Sequence, residues 1–140
     1  MTDDYIISTD KSRLDLNLVH QFLSQESYWA KNMPMELVRK AVDNSLCFGV
    51  YLADQQVGFA RVITDYTTFA YLSDVFVVKE HRGKGLSKRL VQYIVDYPDL
   101  QGLRRWTLVT VDAHTLYEQF GFTFPDDPKL YMQRKLIDSY

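Results

Sequence analysis

The sequence predicts a single α/β domain over residues 1–140. Three observations point to it. Two neighbouring stretches, 46–52 and 57–63, alternate apolar residues with a period of two. Three others, near 13–25, 34–42 and 86–95, carry apolar residues at helical spacing. Between them the apolar run Val75-Phe76-Val77-Val78 passes through a pair of glycines into a basic helix start. Strand and helix periodicities interleaved along one chain imply a sheet flanked by helices.

Taken in order, Tyr5-Ile6-Ile7-Ser8 is a short strand. Leu14, Leu18 and Phe22, with Leu16, Val19 and Leu23, set a first amphipathic helix near 13–25. Residues 27–33 form a loop, and Pro34 suits the first turn of a second helix carrying Leu37, Val38, Ala41 and Val42, ended by Asn44-Ser45. Leu46, Phe48, Val50 and Leu52 alternate, as do Val57, Phe59, Arg61 and Ile63. The polar turn Ala53-Asp54-Gln55-Gln56 joins them into an antiparallel hairpin. A long strand follows over 69–78. Leu86, Leu90, Val91, Ile94 and Val95 form the stripe of a third helix, stopped by Pro98. Residues 103–109 are a strand. Asp112 is placed to cap a helix near 113–120, Gly121 to end it, and residues 130–136 are the last strand.

Composition narrows the function classes. An apolar share of 46% with 14% aromatic residues belongs to a folded chain with a real core. The formal net charge of −2 argues against general nucleic-acid binding. One cysteine, Cys47, leaves no internal disulfide, which fits a reducing cytoplasm, and its strand setting suits a buried inert thiol. The opening Met1-Thr2-Asp3-Asp4 is acidic, unlike a signal peptide, and no apolar stretch approaches membrane-span length. His20, His81 and His114 have no metal-ligand spacing, so no metal is expected.

The stretch His81-Arg82-Gly83-Lys84-Gly85-Leu86-Ser87-Lys88-Arg89 carries the strongest chemical signal. Glycines free the backbone to turn its N–H groups inward, and a helix start adds unpaired N–H groups and a positive dipole end. The product is a site for phosphate or pyrophosphate. It is not a nucleotide-hydrolase P-loop, since no glycine pair with four intervening residues precedes Lys-Ser/Thr. Nor is it a dinucleotide fingerprint, since Lys88 stands where the third glycine belongs. A second segment, Leu116-Tyr117-Glu118-Gln119-Phe120-Gly121-Phe122, follows one helix and one strand later, with Ala113 ahead of it.

Together these resemble two signatures of the GCN5-related N-acetyltransferase (GNAT) superfamily. Arg82, Gly85 and Ser87 match its Arg-x-x-Gly-x-Gly/Ala acyl-CoA loop, with serine in place of the usual Gly/Ala. Leu116 to Phe122 match its Leu-Tyr-x-x-x-Gly-Phe signature. The likeness spans residues 46–124 and leaves the first forty or so matched only in coarse pattern. It implies a mixed, mostly antiparallel central sheet flanked by helices, whose splayed strands form an acyl-CoA cleft.

It also implies a chemistry: transfer of an acetyl group from acetyl-CoA to a primary amine, by direct attack within a ternary complex. The pyrophosphate falls to Arg82, Gly83, Lys84, Gly85, Leu86 and Ser87. The pantetheine arm falls to the backbone of Val75, Phe76 and Val77, read much as an added strand would be. Thr110 stands seven residues before Tyr117, where many relatives have a cofactor-contacting asparagine. Tyr117 is the expected acid for the departing thiolate; the alternative is an aromatic packed on its helix. Asp74, the one carboxylate on the strand before the loop, serves as base, as an anchor for the ammonium, or as a hydrogen-bond acceptor ordering its surroundings. Holding a lysine-like amine of pKa ~10.4 neutral at pH 7 costs about 4.6 kcal/mol, an α-amine near ~8 only about 1 kcal/mol, so the base matters most for aliphatic amines. Tyr28 and Trp29 lie in the loop that walls the acceptor pocket in this superfamily, and either meet substrate or anchor the loop.

The expected partner is a small-molecule or peptide amine, with neither nucleic acid nor membrane. Homodimers are common in the superfamily, and no segment announces an interface. Two other readings use the same loop: a non-catalytic acyl-CoA sensor or interaction module, and a nucleotide-binding module.

Overall fold

The computed structural model describes residues 4–140. The first three residues of the acidic opening lie outside it. Five strands form one sheet in sequence order: β1 (Tyr5–Ser8), β2 (Leu46–Leu52), β3 (Gln55–Thr64), β4 (Phe69–Val77) and β5 (Arg105–Thr107). The first three pairings are antiparallel and β4–β5 is parallel. The sheet is therefore mixed and mostly antiparallel, as expected.

Helices cover both faces. On one, α1 (Leu16–Gln21), the turn Phe22–Glu26 that continues it and α2 (Met35–Asp43) pack Val19, Leu23, Val38 and Val42 against Cys47, Phe59 and Phe76. On the other, α3 (Leu86–Val95) sets Leu86, Leu90, Val91 and Ile94 against Phe48, Val50, Val62 and Leu72, with Tyr117 from α4 (His114–Glu118) in the same cluster. Strands buried on both sides explain why β2 carries five consecutive buried residues although its sequence alternates. Among the described residues no helix is long and apolar enough to cross a membrane.

The differences from expectation are local. The first helix starts at Leu16, where the Asp15 carboxylate accepts the Leu18 N–H, and its last turn, Phe22–Glu26, widens so that Ser27 N–H reaches the Phe22 carbonyl at 2.9 Å. The β2–β3 turn shrinks to Ala53-Asp54, with Ala53 left-handed (φ 53°), and Gln55 already pairs with Leu52. Asp112 does not cap α4. Ala113 is the cap residue and the Thr110 hydroxyl takes its N–H at 3.0 Å, because the helix begins one residue too late for the Asp112 carboxylate to reach it. Gly121 (φ 87°) does end that helix. The expected strand over 103–109 is formed only at 105–107, and the one over 130–136 is not formed: its residues lie exposed without a ladder partner.

Candidate active site

The cleft begins where two strands part. β4 meets β5 through only three pairs, Phe69↔Arg105, Ala70↔Trp106 and Tyr71↔Thr107. Beyond them its edge, residues 72–77, has no strand on that side among the described residues. The divergence has a local cause. The β3–β4 register slips between Phe59↔Phe76 and Arg61↔Ser73, so Asp74 and Val75 share the space opposite Ala60. Asp74 takes a left-handed φ of 56°, costly for a residue with a Cβ. A bulge of this kind bends its strand. Val75, Phe76 and Val77 meet no strand on the cleft side among the described residues, the Val77 carbonyl there accepting from Arg82, while the Phe76 and Val77 side chains are buried.

At the end of β4 the chain makes one 3₁₀ turn, Lys79–His81, and passes through Gly83 (φ 78°) and Gly85 (φ 75°) into α3. Gly85 is the cap residue and no side chain caps the turn. The first backbone bond of the helix is Arg89 N–H to the Gly85 carbonyl, which leaves the N–H groups of Leu86, Ser87 and Lys88 ahead of it. A Cβ added at Gly83 or Gly85 would meet nothing within 4 Å. An open, left-handed, uncapped helix start is what a pyrophosphate requires.

The basic side chains here mostly brace the loop. Arg82 Nε donates to the Val77 carbonyl at 2.9 Å. Lys84 Nζ lies 3.4 Å from the Tyr5 hydroxyl and 5.9 Å from its ring. That hydroxyl shares a 2.7 Å hydrogen bond with His81 Nδ1, and Arg89 donates to the Tyr5 carbonyl at 3.3 Å. β1 thus pins the glycine loop, a role the sequence alone does not reveal for Tyr5 or His81.

The opposite wall is a side-chain construction. Asp74 is buried, and its two oxygens accept from Arg61 Nε at 2.9 Å and Trp29 Nε1 at 2.8 Å. Arg61 also donates to Ser45 Oγ at 3.1 Å and to Ser73 Oγ at 3.5 Å. The signal for Arg61 was present in the sequence: an arginine in phase with Val57 and Phe59 on a buried strand needs a charged partner. Trp29 packs edge-on against Tyr28, and the Tyr28 hydroxyl accepts the Val111 N–H at 3.2 Å beyond β5. Ser27 holds this loop, donating to the Leu23 carbonyl at 2.6 Å and accepting the Ala30 N–H at 3.0 Å. A cavity of about 330 Å³ opens beside it, lined by Tyr28, Trp29, Lys31 and residues 135 and 137–140.

Tyr117 is buried with its ring against Phe122. Burial, then Tyr28 and Asp112, push its phenol up to about 12. It therefore keeps its proton throughout the neutral range. Thr110 is committed to the α4 turn, and His114 stacks on Phe124 at 5.5 Å. The structure thus gathers Tyr28, Trp29 and Asp74 on one wall and the glycine loop with Val75, Phe76 and Val77 on another. Tyr28 also links the first wall to the backbone beyond β5.

Comparison with known proteins agrees with this arrangement. The sequence profile of the acetyltransferase (GNAT) family matches residues 16–122. A protein of Gibberella zeae assigned as an acetyltransferase is 33% identical over 136 residues, 81% of this chain and 76% of its own. The crystal structure of a protein from Xanthomonas campestris pv. campestris, assigned to the GNAT family, is 53% identical and superposes with a TM-score of 0.94 over 97% of this chain and 96% of that one. A GNAT acetyltransferase from Elizabethkingia anophelis, solved with acetyl-CoA bound, shares the fold at 13% identity, with a TM-score of 0.66 over 89% of this chain and 80% of its own. With the profile spanning α1 to the segment after α4, and with the splayed strands and open glycine turn the fold requires, the chain belongs to the acetyltransferase (GNAT) family.

Proposed function

We propose that the chain acetylates a small primary amine by direct attack within a ternary complex, with Tyr117 as proton donor. The family activity is acetyl transfer from acetyl-CoA, which supplies an activated thioester. The loop fits that cofactor: Gly83 and Gly85 face open space, and the N–H groups of Leu86, Ser87 and Lys88 stand at an uncapped helix start. The Val75, Phe76 and Val77 backbone would hold the pantetheine amides, and Lys88 adds charge near the phosphates. Thr110 contributes less, since its hydroxyl already serves Ala113.

The observation that supports the reading is Tyr117, a buried phenol whose burial holds its proton through the neutral range. A phenol near 12 facing a thiolate of pKa ~8.5 would lose about 5 kcal/mol by full transfer, so it acts first as a hydrogen-bond donor to the developing charge. Asp74 is assigned a positioning role: with both oxygens engaged it holds Trp29 and Arg61. The acceptor amine then deprotonates through water. That favours amines of lower pKa, for which neutrality at pH 7 costs nearer 1 than 5 kcal/mol. The lone free thiol, Cys47, supports a reducing, cytoplasmic setting.

Tyr117→Phe tests the reading. Turnover on an identified amine should fall by roughly 10²–10⁴-fold, with acetyl-CoA affinity unchanged by calorimetry. Full turnover would remove Tyr117 as donor. The engaged Asp74 and Thr110 favour one second reading, a non-catalytic acyl-CoA sensor, which predicts tight binding and no CoA release with any amine.

A further inference from the structure

Two adjacent residues bridge the gap where the strands part. Trp29 Nε1 donates to Asp74 on the β4 bulge at 2.8 Å, and the Tyr28 hydroxyl accepts the Val111 N–H beyond β5 at 3.2 Å. Each ring is tied down by its polar end on one side of the opening. The buried Phe22 backs the indole, its centroid 6.4 Å away. The Tyr28 and Trp29 rings stand at 85° to one another with centroids 5.0 Å apart, so together they make a corner. Both remain open to solvent, Tyr28 at 55% exposure and Trp29 at 42%. Large rings that are fixed at one end and exposed along their faces suit a ligand better than a core.

Charge decides which ligand. An aromatic face carries the negative part of the ring quadrupole and attracts a cation within about 6 Å of its centroid. The two centroids are closer together than that, so one ammonium can meet both rings at once. The surroundings do not oppose it. Lys31 and Lys135, along the adjoining cavity, are engaged elsewhere: Lys31 Nζ donates to the Gln25 carbonyl at 2.6 Å, and Lys135 pairs with Asp138 at 3.1 Å. The Arg61 charge is matched by Asp74. Asp112, directly after Val111, is exposed and adds a negative charge at the Tyr28 end. An anionic ligand finds no counterpart in this set.

We propose, resting on the acetyl-transfer reading above, that the Tyr28–Trp29 corner holds a second ammonium group of the acceptor, so that the amine acetylated is one end of a short aliphatic diamine. The corner then eases the step for which Asp74, with both oxygens engaged, is no free base. A positive charge held beside the reacting amine disfavours its protonated form and lowers its pKa. One end of the diamine is gripped as a cation, and the other is brought toward the neutral form that attacks. The amine nitrogen bonds the acetyl carbon, the C–S bond breaks, the thiolate keeps that electron pair, and the nitrogen gives its proton to water.

Binding and turnover are read separately. The indole N–H resonance of Trp29, assigned by its loss in Trp29→Phe, should shift and saturate as ethylenediamine is added to the full chain at neutral pH. That of Trp106 should stay in place, and ethylene glycol, the neutral counterpart, should move neither. Tyr28→Leu should abolish the shift, and Tyr28→Phe, which keeps the ring, should retain it. With acetyl-CoA present, CoA release should show a kcat/KM roughly 10-fold higher for ethylenediamine than for ethylamine, an advantage that Tyr28→Leu removes. A Trp29 resonance that ignores the diamine, or moves equally with the glycol, overturns the proposal whatever the turnover. Equal kcat/KM for diamine and monoamine overturns it too. A diamine-selective shift without CoA release from any amine upholds the corner as a cation site and overturns the acetyl-transfer reading instead.

Discussion

The glycine-loop end of the cleft, proposed for the cofactor, and the Asp74 end, proposed for the acceptor, rest on different materials. At the α3 end the groups proposed to hold the cofactor are the backbone N–H donors of Leu86, Ser87 and Lys88 behind the open turn of Gly83 and Gly85, with Arg82 turned back as a brace. The other end is built of side chains from four segments, Trp29, Ser45, Arg61 and Asp74, closed around a buried ion pair. Backbone recognition depends on a short run of small residues in fixed order. A buried charge cluster depends on distant segments meeting. The first tolerates a change of most side chains and little change of glycine; the second tolerates neither partner's loss.

The largest expected effect tests the second half of that contrast. Asp74→Ala strands a nearly buried guanidinium and should cost about 3–5 kcal/mol in urea unfolding. Pairing it with Arg61→Met should recover most of that loss. An Asp74→Ala protein of native stability would erase the contrast. Next comes Gly85→Val. Forcing a β-branched residue to φ 75° costs about 1–2 kcal/mol and crowds the phosphate position, so acetyl-CoA affinity should drop at least ~10-fold in calorimetry. By the same logic Lys84→Ala should change affinity by less than ~3-fold, because that side chain faces Tyr5. Equal losses in the two variants would show that charge, not backbone, holds the phosphates. Trp29→Phe removes one hydrogen bond from a carboxylate at a half-exposed ring. It should cost about 1 kcal/mol of stability and raise the acceptor KM more than the acetyl-CoA KM.

A smaller effect is read in pH. Burial raises the Cys47 thiol from 9.0 to about 11 and the Tyr117 phenol from 10.0 to about 12. Each is protonated in the folded state over a window where the unfolded chain has already lost its proton. Their stabilising contribution is thus complete below pH 9 and is lost as pH rises through 11 and then 12. Thermal unfolding should soften from pH 9 upward, and Cys47→Val should flatten the first part of that slope.

The contrast also explains what could be read before folding. Glycines, a following helix stripe and a tyrosine signature are local in sequence, so the loop, α3 and Tyr117 were legible. The sheet was legible wherever alternation survives, as in Val57, Phe59 and Ile63. Arg61 lay in the same alternation, but its meaning needed the knowledge that it faces Asp74 on the next strand. Tyr5 and His81 are 76 positions apart, and nothing short-range joins them. Asp112 failed as a cap because a one-residue shift in helix start lies below the resolution of pattern. The strand expected at 130–136 was wrong: the segment alternates as a strand does, but alternation supplies no pairing edge, and among the described residues it joins no ladder.

The bulge at Asp74 ties the two ends together. One residue bends β4 away from β5 and also carries the carboxylate that fixes Trp29. Substitutions aimed at acceptor choice through this position would therefore reshape the passage for the pantetheine arm. Anyone redirecting the enzyme toward new amines should expect strong epistasis at Asp74 and near-additive behaviour at Lys31 and residues 137–140, which line the same cavity without bearing on the strand.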